Sequence, residues 1–135
     1  MRCVKLYNTS LNDTLLVGPV IQDDFRSIIL RSKTRQIMVV SDVEKMFRQI
    51  RISKEDTPLQ SILWRTDPSE IISTYELTTV TYGTKPAPFL ATRTLKQLAM
   101  DEQACYPMAA KAATEDDYMD DVLSGADNPE EALDM

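Results

Sequence analysis

Apolar and polar positions along this chain repeat with both helical and strand periods. Helical spacing covers residues 21–35 and 89–100, and the prolines that open the second segment are a normal helix start. Residues 37–40 form a continuous, β-branched apolar run, which predicts a short buried strand ending at Ser41 and Asp42. Both kinds of element are therefore expected in one chain.

Shorter signals complete the predicted order of elements. Residues 61–65 and 74–80 resemble the arms of an antiparallel hairpin, with turn formers at 67–70 between them. Residues 50–52 alternate like a half-buried strand, and residues 1–20 are rich in turn formers and predict irregular structure. A turn or short helix is predicted over 43–49, and short helices over 107–113 and from 129 onward. The mixture predicts an α+β fold.

Composition excludes several kinds of chemistry. The chain has no histidine, which rules out Ser-His-Asp triads, Cys-His pairs, HExxH zinc sites and C2H2 fingers. With only 3 glycines in 135 residues, neither GxGxxG nor a Walker loop can be written. Phosphate chemistry must then rest on carboxylates with their metal ions, or on basic side chains.

Charge and cysteine usage narrow the class of protein further. Residues 1–100 contain 14 of the 15 basic residues but only 10 of the 21 acidic ones. This first part of the chain is therefore positively charged, and residues 101–135 are strongly acidic. That asymmetry is a weak sign of contact with a polyanion, and a solvated acidic tail is the favoured explanation of the charge alone. Cys3 and Cys105 suggest no disulfide framework, and no signal peptide or apolar run of about 18 residues is present. We expect an intracellular, cytoplasmic protein without a membrane segment.

The sharpest short feature is Tyr118-Met119-Asp120-Asp121. Neighbouring strand residues point to opposite faces, so two adjacent aspartates converge only at a tight hairpin tip. Like charges held together there repel, and a divalent cation removes that penalty. An acidic surface turn is the alternative explanation of the same residues.

A third carboxylate, Asp42, follows the predicted strand 37–40 directly. Taken alone, Asp42 is better explained as a strand terminator. Together with a hairpin tip on a neighbouring strand, it predicts a three-carboxylate cage for two Mg²⁺ ions about 3.5–4 Å apart. Such a pair stabilises the attacking and leaving oxygens of an in-line displacement at phosphorus, and it needs no histidine.

Several segments carry a resemblance to a known family. Residues 42–47 resemble motif A of reverse transcriptases, residues 82–89 resemble motif B, and residues 118–121 resemble motif C, in the family's order. Residues 10–13, 16–19, 75–77 and 124–127 are further similar to reverse transcriptases of BEL/Pao-type long-terminal-repeat retrotransposons. The resemblance covers nearly the whole chain.

The resemblance implies a role for individual residues. The catalytic and metal-binding carboxylates would be Asp42, Asp120 and Asp121. Phe47 would be a steric gate that excludes a 2′-hydroxyl, with a core phenylalanine as the less favoured alternative. The implied nucleotide-binding residues are Val43, Phe47, Tyr82 and Gly83, and the implied nucleic-acid contacts are Lys85, Pro88, Tyr118 and Met119. For Lys85 a solvated lysine is the alternative.

Basic residues elsewhere complete the implied nucleic-acid surface. In the family a basic residue ahead of the Ser-Leu-Asn-Asp segment grips the triphosphate, and Arg2 and Lys5 are the candidates here. Phosphate contacts come from arginine and lysine. Five further candidates precede or follow motif A: Arg31, Lys33, Arg35, Arg48 and Arg51.

The implied fold is the palm subdomain of a right-hand polymerase, an antiparallel sheet with helices packed on one face. Residues 1–36 would be partial fingers and lead-in, and residues 37–135 the palm, in a single partial domain without a thumb. The implied function is RNA-directed DNA polymerase, with two Mg²⁺ ions (or Mn²⁺) as cofactors. A non-catalytic, truncated retroelement remnant with residual nucleic-acid binding is the alternative.

The same resemblance implies the partners. These are an RNA or DNA template-primer, deoxynucleoside triphosphates, and the thumb and ribonuclease H regions of a parent polyprotein. The expected location is the cytoplasm or a retrotransposon particle within it. An uncovered palm sheet would also expose apolar surface, which favours association or aggregation.

Overall fold

A computed structural model describes residues 9–135, which divide into two compact units. The described part of the first unit is residues 9–17 and Phe47–Ala87, and the second unit is Gly18–Met46 and Pro88–Met135. This division does not coincide with the predicted boundary between residues 36 and 37, and the assignment to fingers and palm stays a prediction. The candidate triphosphate residues Arg2 and Lys5 lie outside the described residues.

A three-stranded antiparallel sheet organises the second unit. Strand β1 (Ile37–Asp42) pairs with β5 (Asp121–Ala126), which pairs on its other edge with β4 (Asp117–Tyr118). The β1–β5 register runs from Ile37 opposite Ala126 to Asp42 opposite Asp121. The predicted α+β class with antiparallel hairpins is confirmed.

Helices pack against this sheet. Helix α2 (Phe25–Lys33) contacts all three strands, while α5 (Pro107–Glu115) and α6 (Pro129–Leu133) contact β5. The longest helix is α4 (Ala87–Glu102). Asp24 caps α2 by accepting hydrogen bonds from the N–H groups of Arg26 and Ser27, at 3.0 and 3.2 Å. Within residues 9–135, the helices lack the length and apolar character needed to cross a membrane.

The predicted burial of β1 is wrong, although the strand itself is confirmed. Ile37 and Val39 are half-buried, whereas Met38 and Val40 are 48% and 58% exposed. Alternate residues of a strand point to opposite faces, and the buried residues of β5, Ser124 and Ala126, share the face of Ile37 and Val39. The continuous apolar run of β1 is therefore packed on one face of the sheet, and its other face is exposed.

The first unit is built around a hairpin and several short helical turns. Strand β2 (Ser61–Trp64) pairs antiparallel with β3 (Ser73–Glu76), as predicted, after a 3₁₀ turn at Thr57–Gln60. The predicted irregular region contains a helical turn, α1 (Leu11–Thr14), because Asp13 accepts hydrogen bonds from the backbone N–H and hydroxyl of Ser10.

One predicted strand is replaced by a single bridge. Residues 50–52 form no strand, and Arg51 makes an isolated antiparallel bridge with Thr79. The backbone N–H groups of Val80 and Ile52 donate to Ile50 and Thr78 at 2.9 and 3.0 Å. Helix α3 (Met46–Gln49) lies immediately before this bridge and was predicted as a turn or short helix. Alternation over three residues is too short to specify a ladder.

Two glycines with left-handed backbone differ in the space around them. Gly18 has φ +81° and Gly83 has φ +83°. A Cβ at Gly18 would lie 2.5 Å from Cγ of Phe89, whereas one at Gly83 would meet no atom within 4 Å. Gly18 is thus required both by its φ and by the Phe89 ring, and Gly83 by its φ alone.

Alanine at the two glycines should separate these two causes. Gly83→Ala should lower the free energy of unfolding by about 1–2 kcal/mol, the cost of a left-handed L-residue. Gly18→Ala should cost at least about 1 kcal/mol more, because Phe89 must move. Urea unfolding of both variants measures the difference, and equal losses would show that the Phe89 contact adds nothing.

Candidate functional site

The sheet register brings two of the predicted carboxylate residues directly together. Asp42 ends β1 and pairs with Asp121, which begins β5. Directly opposite residues of an antiparallel pair have Cα atoms about 4.5–5.5 Å apart and side chains on the same face. The next residue, Val43, donates its N–H to the Asp120 carbonyl at 2.7 Å. All three aspartates are exposed at one end of the sheet.

The turn that carries Asp120 is a tight hairpin, as predicted. Tyr118 pairs with Asp121, which leaves Met119 and Asp120 as a two-residue loop. Met119 has φ +60°. Positive φ at the first of two loop positions matches a type II′ turn, which normally takes glycine there. A methionine in this conformation is strained, and such residues cluster at functional sites.

A second left-handed residue lies three positions after Asp42. Lys45 has φ +53°, and the N–H of Met46 donates to the Val43 carbonyl at 3.0 Å within the same turn. Both chain segments that flank the paired aspartates therefore contain a non-glycine residue in the left-handed region. The backbone at this end of the sheet is held in an unusual conformation on both sides.

Arg31 fixes the start of the β4–β5 hairpin. Its Nε donates to Asp116 Oδ1 at 3.0 Å, its Nη1 donates to Asp23 at 2.9 Å, and its Nη2 donates to the Glu115 carbonyl. Ser124 donates to the other oxygen of Asp116 at 2.7 Å. Arg31 therefore stabilises its own unit through these bonds, a role that the sequence did not indicate. Its contact with nucleic acid stays a prediction. Its helical position and the distant acids gave no signal of this pairing.

Arg35 likewise forms an ion pair with an acidic residue of its own unit. Its guanidinium pairs with Asp127 at 2.6 Å, beside the close approach of Gly125 to the Arg35 side chain. The remaining basic candidates Lys33, Arg48 and Arg51 are exposed.

Asp117 is a buried carboxyl that the sequence did not single out. Its exposure is 1%, its Oδ2 accepts a hydrogen bond from Gln22 Nε2 at 3.1 Å, and its Oδ1 has no partner among the described residues. Burial raises the pKa of this carboxyl above its ordinary value, against the opposing effects of the Gln22 hydrogen bond and the charge of Lys96. The nearby negative charge of Asp23 raises the pKa further.

The raised pKa of Asp117 predicts a pH-dependent stability. The folded state binds this proton more tightly than the unfolded chain, so the stabilisation is complete below the unfolded pKa of about 3.9 and is lost as pH rises through the folded pKa. Asp117→Asn should abolish this loss, which amounts to about 1.4 kcal/mol for each unit of the pKa difference. Its stability relative to the unsubstituted protein should therefore increase from pH 4 to pH 7.

Urea unfolding of both proteins across that pH range measures the effect. The two proteins share every other titratable group, so the pH dependence of the difference between them belongs to residue 117. A difference between the two proteins that is constant from pH 4 to pH 7 would contradict the prediction.

The predicted nucleotide-binding residues fall in both units. Phe47, Tyr82 and Gly83 belong to the first unit, and Val43 belongs to the second. Of the predicted nucleic-acid contacts, Lys85 belongs to the first unit and Pro88 to the second. The rings of Phe47 and Tyr82 are in contact, with centroids 4.7 Å apart and planes tilted by 54°. Phe47 is half-buried and Tyr82 exposed, so the pair presents the tyrosine ring outward.

The predicted nucleic-acid contacts are mostly accessible. Lys85, Pro88 and Met119 are exposed, whereas Tyr118 is half-buried and packs its ring on Phe25 at 4.7 Å. The Tyr118–Phe25 contact joins the hairpin to the first turn of α2. The Tyr118 ring thus has a packing role that the sequence did not predict.

The carboxylates do not form a ready-made cage. In residues 9–135, no three His, Cys, Asp or Glu side chains are grouped closely enough to hold a metal ion. The register therefore brings together the backbone that carries Asp42, Asp120 and Asp121 without converging all three side chains. A pair of carboxylates completed by ligand oxygens is compatible with this arrangement.

Comparison with known proteins gives no further guide to the site. No protein-family model matches the chain, and no curated protein shows significant similarity to it.

Proposed function

We propose that this chain is the palm part, with part of the fingers, of an RNA-directed DNA polymerase from a BEL/Pao-type retrotransposon polyprotein. The observation that carries the proposal is the direct pairing of Asp42 with Asp121, beside the hairpin tip at Asp120. Two aspartates distant in sequence meet at one sheet end, flanked by left-handed Lys45 and Met119. An ordinary acidic surface turn would require neither the Asp42–Asp121 pairing nor the left-handed residues.

The donor set suits magnesium. Mg²⁺ takes oxygen ligands and is commonly held by one or two carboxylates together with substrate phosphates and water. Asp42 and Asp120 would hold the ions, with Asp121 as the third carboxylate. When bound, Mg²⁺ or Mn²⁺ supplies charge stabilisation to the attacking and leaving oxygens of an in-line displacement at phosphorus.

The chain's own residues would bind and orient the deoxynucleoside triphosphate. The exposed Tyr82 ring and the open space beside Gly83 allow a base and sugar to approach the backbone closely. Phe47, held against Tyr82, would lie beneath the sugar and exclude a 2′-hydroxyl. Positioning of this kind, together with electrostatic stabilisation, accounts for most of the catalysis in phosphoryl-type transfer.

Primer extension tests the proposal. The chain, alone and joined to its downstream polyprotein region, is incubated with a primed RNA template and deoxynucleotides in Mg²⁺ or Mn²⁺. We expect extension that requires the divalent ion and prefers deoxynucleotides to ribonucleotides. Absence of extension with the downstream region restored would overturn the proposal. Nucleic-acid binding without extension in that protein would identify a non-catalytic remnant.

A further inference from the structure

The side chain of Asn12 bridges two backbone groups of a distant loop in the first unit. Its Nδ2 donates to the Gly83 carbonyl at 2.7 Å, and its Oδ1 accepts from the Lys85 N–H at 2.9 Å. These groups lie on either side of Thr84, 71 and 73 residues from Asn12 in sequence. The Asn12 amide thus binds the backbone of the Tyr82–Lys85 loop at two points, Gly83 and Lys85.

Asn12 is itself held in a defined turn. Asp13 Oδ2 accepts hydrogen bonds from the N–H and the hydroxyl of Ser10, at 2.7 and 2.8 Å, and Asp13 N–H donates back to the Ser10 carbonyl at 3.0 Å. These bonds close α1 into a single helical turn. The Ser10–Asp13 bonds therefore fix the backbone that carries the Asn12 amide.

The loop that Asn12 binds has few bonds of its own. Thr84 donates through its N–H and its hydroxyl to the Thr81 carbonyl, at 3.4 and 2.9 Å, and Ala87 N–H donates to the Thr84 carbonyl at 3.1 Å. Gly83 is left-handed, and a Cβ added there would meet no atom within 4 Å. A glycine in open space gives the backbone much freedom, so the Asn12 bridge is a substantial part of what orders the loop.

We propose that Asn12 is a positioning residue that fixes the Tyr82–Lys85 loop and, through it, the binding site of the incoming deoxynucleotide. The second half of this inference rests on the proposed function, and the bridge itself does not. An amide is suited to the task because it donates and accepts on one planar group, whereas a carboxylate only accepts.

Hydrogen exchange of the full chain tests the bridge directly. Asn12→Ala should lower the protection of the Lys85 amide by roughly 5- to 10-fold, because its acceptor is lost. Gln103→Ala is the matched control, since this exposed side-chain amide makes no hydrogen bond among the described residues. It should leave Lys85 unchanged. Unaltered Lys85 protection in Asn12→Ala would overturn the inference.

Asn12→Asp provides a second test, the pH dependence of the Thr84 amide chemical shift, which separates the bridge from a general loss of folding. The introduced carboxylate still accepts from Lys85 but faces the Gly83 carbonyl without a proton to donate. Below the ordinary carboxyl pKa of about 3.9 it becomes a donor again, so the Thr84 amide shift should return toward its original value as pH falls. Asn12→Ala should show no such pH profile. Identical profiles in the two variants would overturn the inference.

Enzyme kinetics distinguish this inference from the proposed function. In the chain joined to its downstream region, Asn12→Ala should raise KM for deoxynucleotides about 5- to 10-fold, with a smaller change in kcat. Extension by the unsubstituted protein with no KM change in Asn12→Ala would overturn the nucleotide-positioning role. If the unsubstituted protein does not extend a primer, the proposed function and this nucleotide-positioning role both fail, and the Lys85 exchange still decides the bridge.

Discussion

Asp120→Asn should lower Mg²⁺-dependent primer extension by at least about 10³-fold. The substitution is nearly isosteric and leaves the two-residue hairpin loop intact, but it removes a negative charge from the end of the sheet where Asp42 and Asp121 pair. Loss of a metal carboxylate forfeits several kcal/mol of transition-state charge stabilisation, and about 4 kcal/mol corresponds to 10³ in rate. The measurement is the initial rate of extension on a primed RNA template.

The control for this experiment is Asp134→Asn. Asp134 is an exposed carboxylate of the same unit, at the end of α6, and the same chemical change there should leave the rate within about twofold. A rate for Asp120→Asn that stays within threefold of the unsubstituted protein would show that this carboxylate has no catalytic role. Titration with Mn²⁺ should show weaker binding in Asp120→Asn than in Asp134→Asn.

Ile28→Ala should lower the free energy of unfolding by about 2–5 kcal/mol. Ile28 has 0% exposure on the inner face of α2 and is the largest fully buried side chain described, in a core otherwise dominated by alanines. Since a domain of this kind has about 5–15 kcal/mol in total, the loss is a large fraction of its stability.

Leu30→Ala is the matched control on the same helix. Leu30 is 65% exposed, so its truncation should change the free energy of unfolding by less than about 0.5 kcal/mol. Urea unfolding of both variants under identical conditions gives the comparison. Equal effects at the two positions would contradict the assigned inner face of α2.

Local patterns predicted most of the elements because their causes are local. Asp24 caps α2 through N–H groups two and three residues away, and prolines open α4, α5 and α6 near where they were expected. The hairpin at Met119 and Asp120 followed from two adjacent aspartates between apolar segments. Capping, proline geometry and tight turns depend on residues within one turn of each other, so the sequence contains the information.

The errors arose where distant residues decide the outcome. Val40 belongs to an apolar run yet is exposed, since no local pattern states which face of a sheet will be covered. Arg31 binds Asp23 and Asp116, a pairing that no local pattern indicated. The Ile50–Ile52 segment lacks a partner strand and forms only the bridge from Arg51 to Thr79. Each outcome depends on partners far along the chain.

The sequence by itself determined the α+β class, the hairpin tip at Asp120, and the carboxylates from which a metal site would be built, because residue type and spacing act locally. Only the tertiary structure decided that Asp42 pairs with Asp121 and that Asn12 binds the Gly83 loop. It also decided that Asp117, beside two other acids, is buried with a raised pKa. Register, burial and long-range hydrogen bonds depend on which distant segments pack together when the chain folds. The pattern of apolar and polar residues along the sequence does not specify that packing.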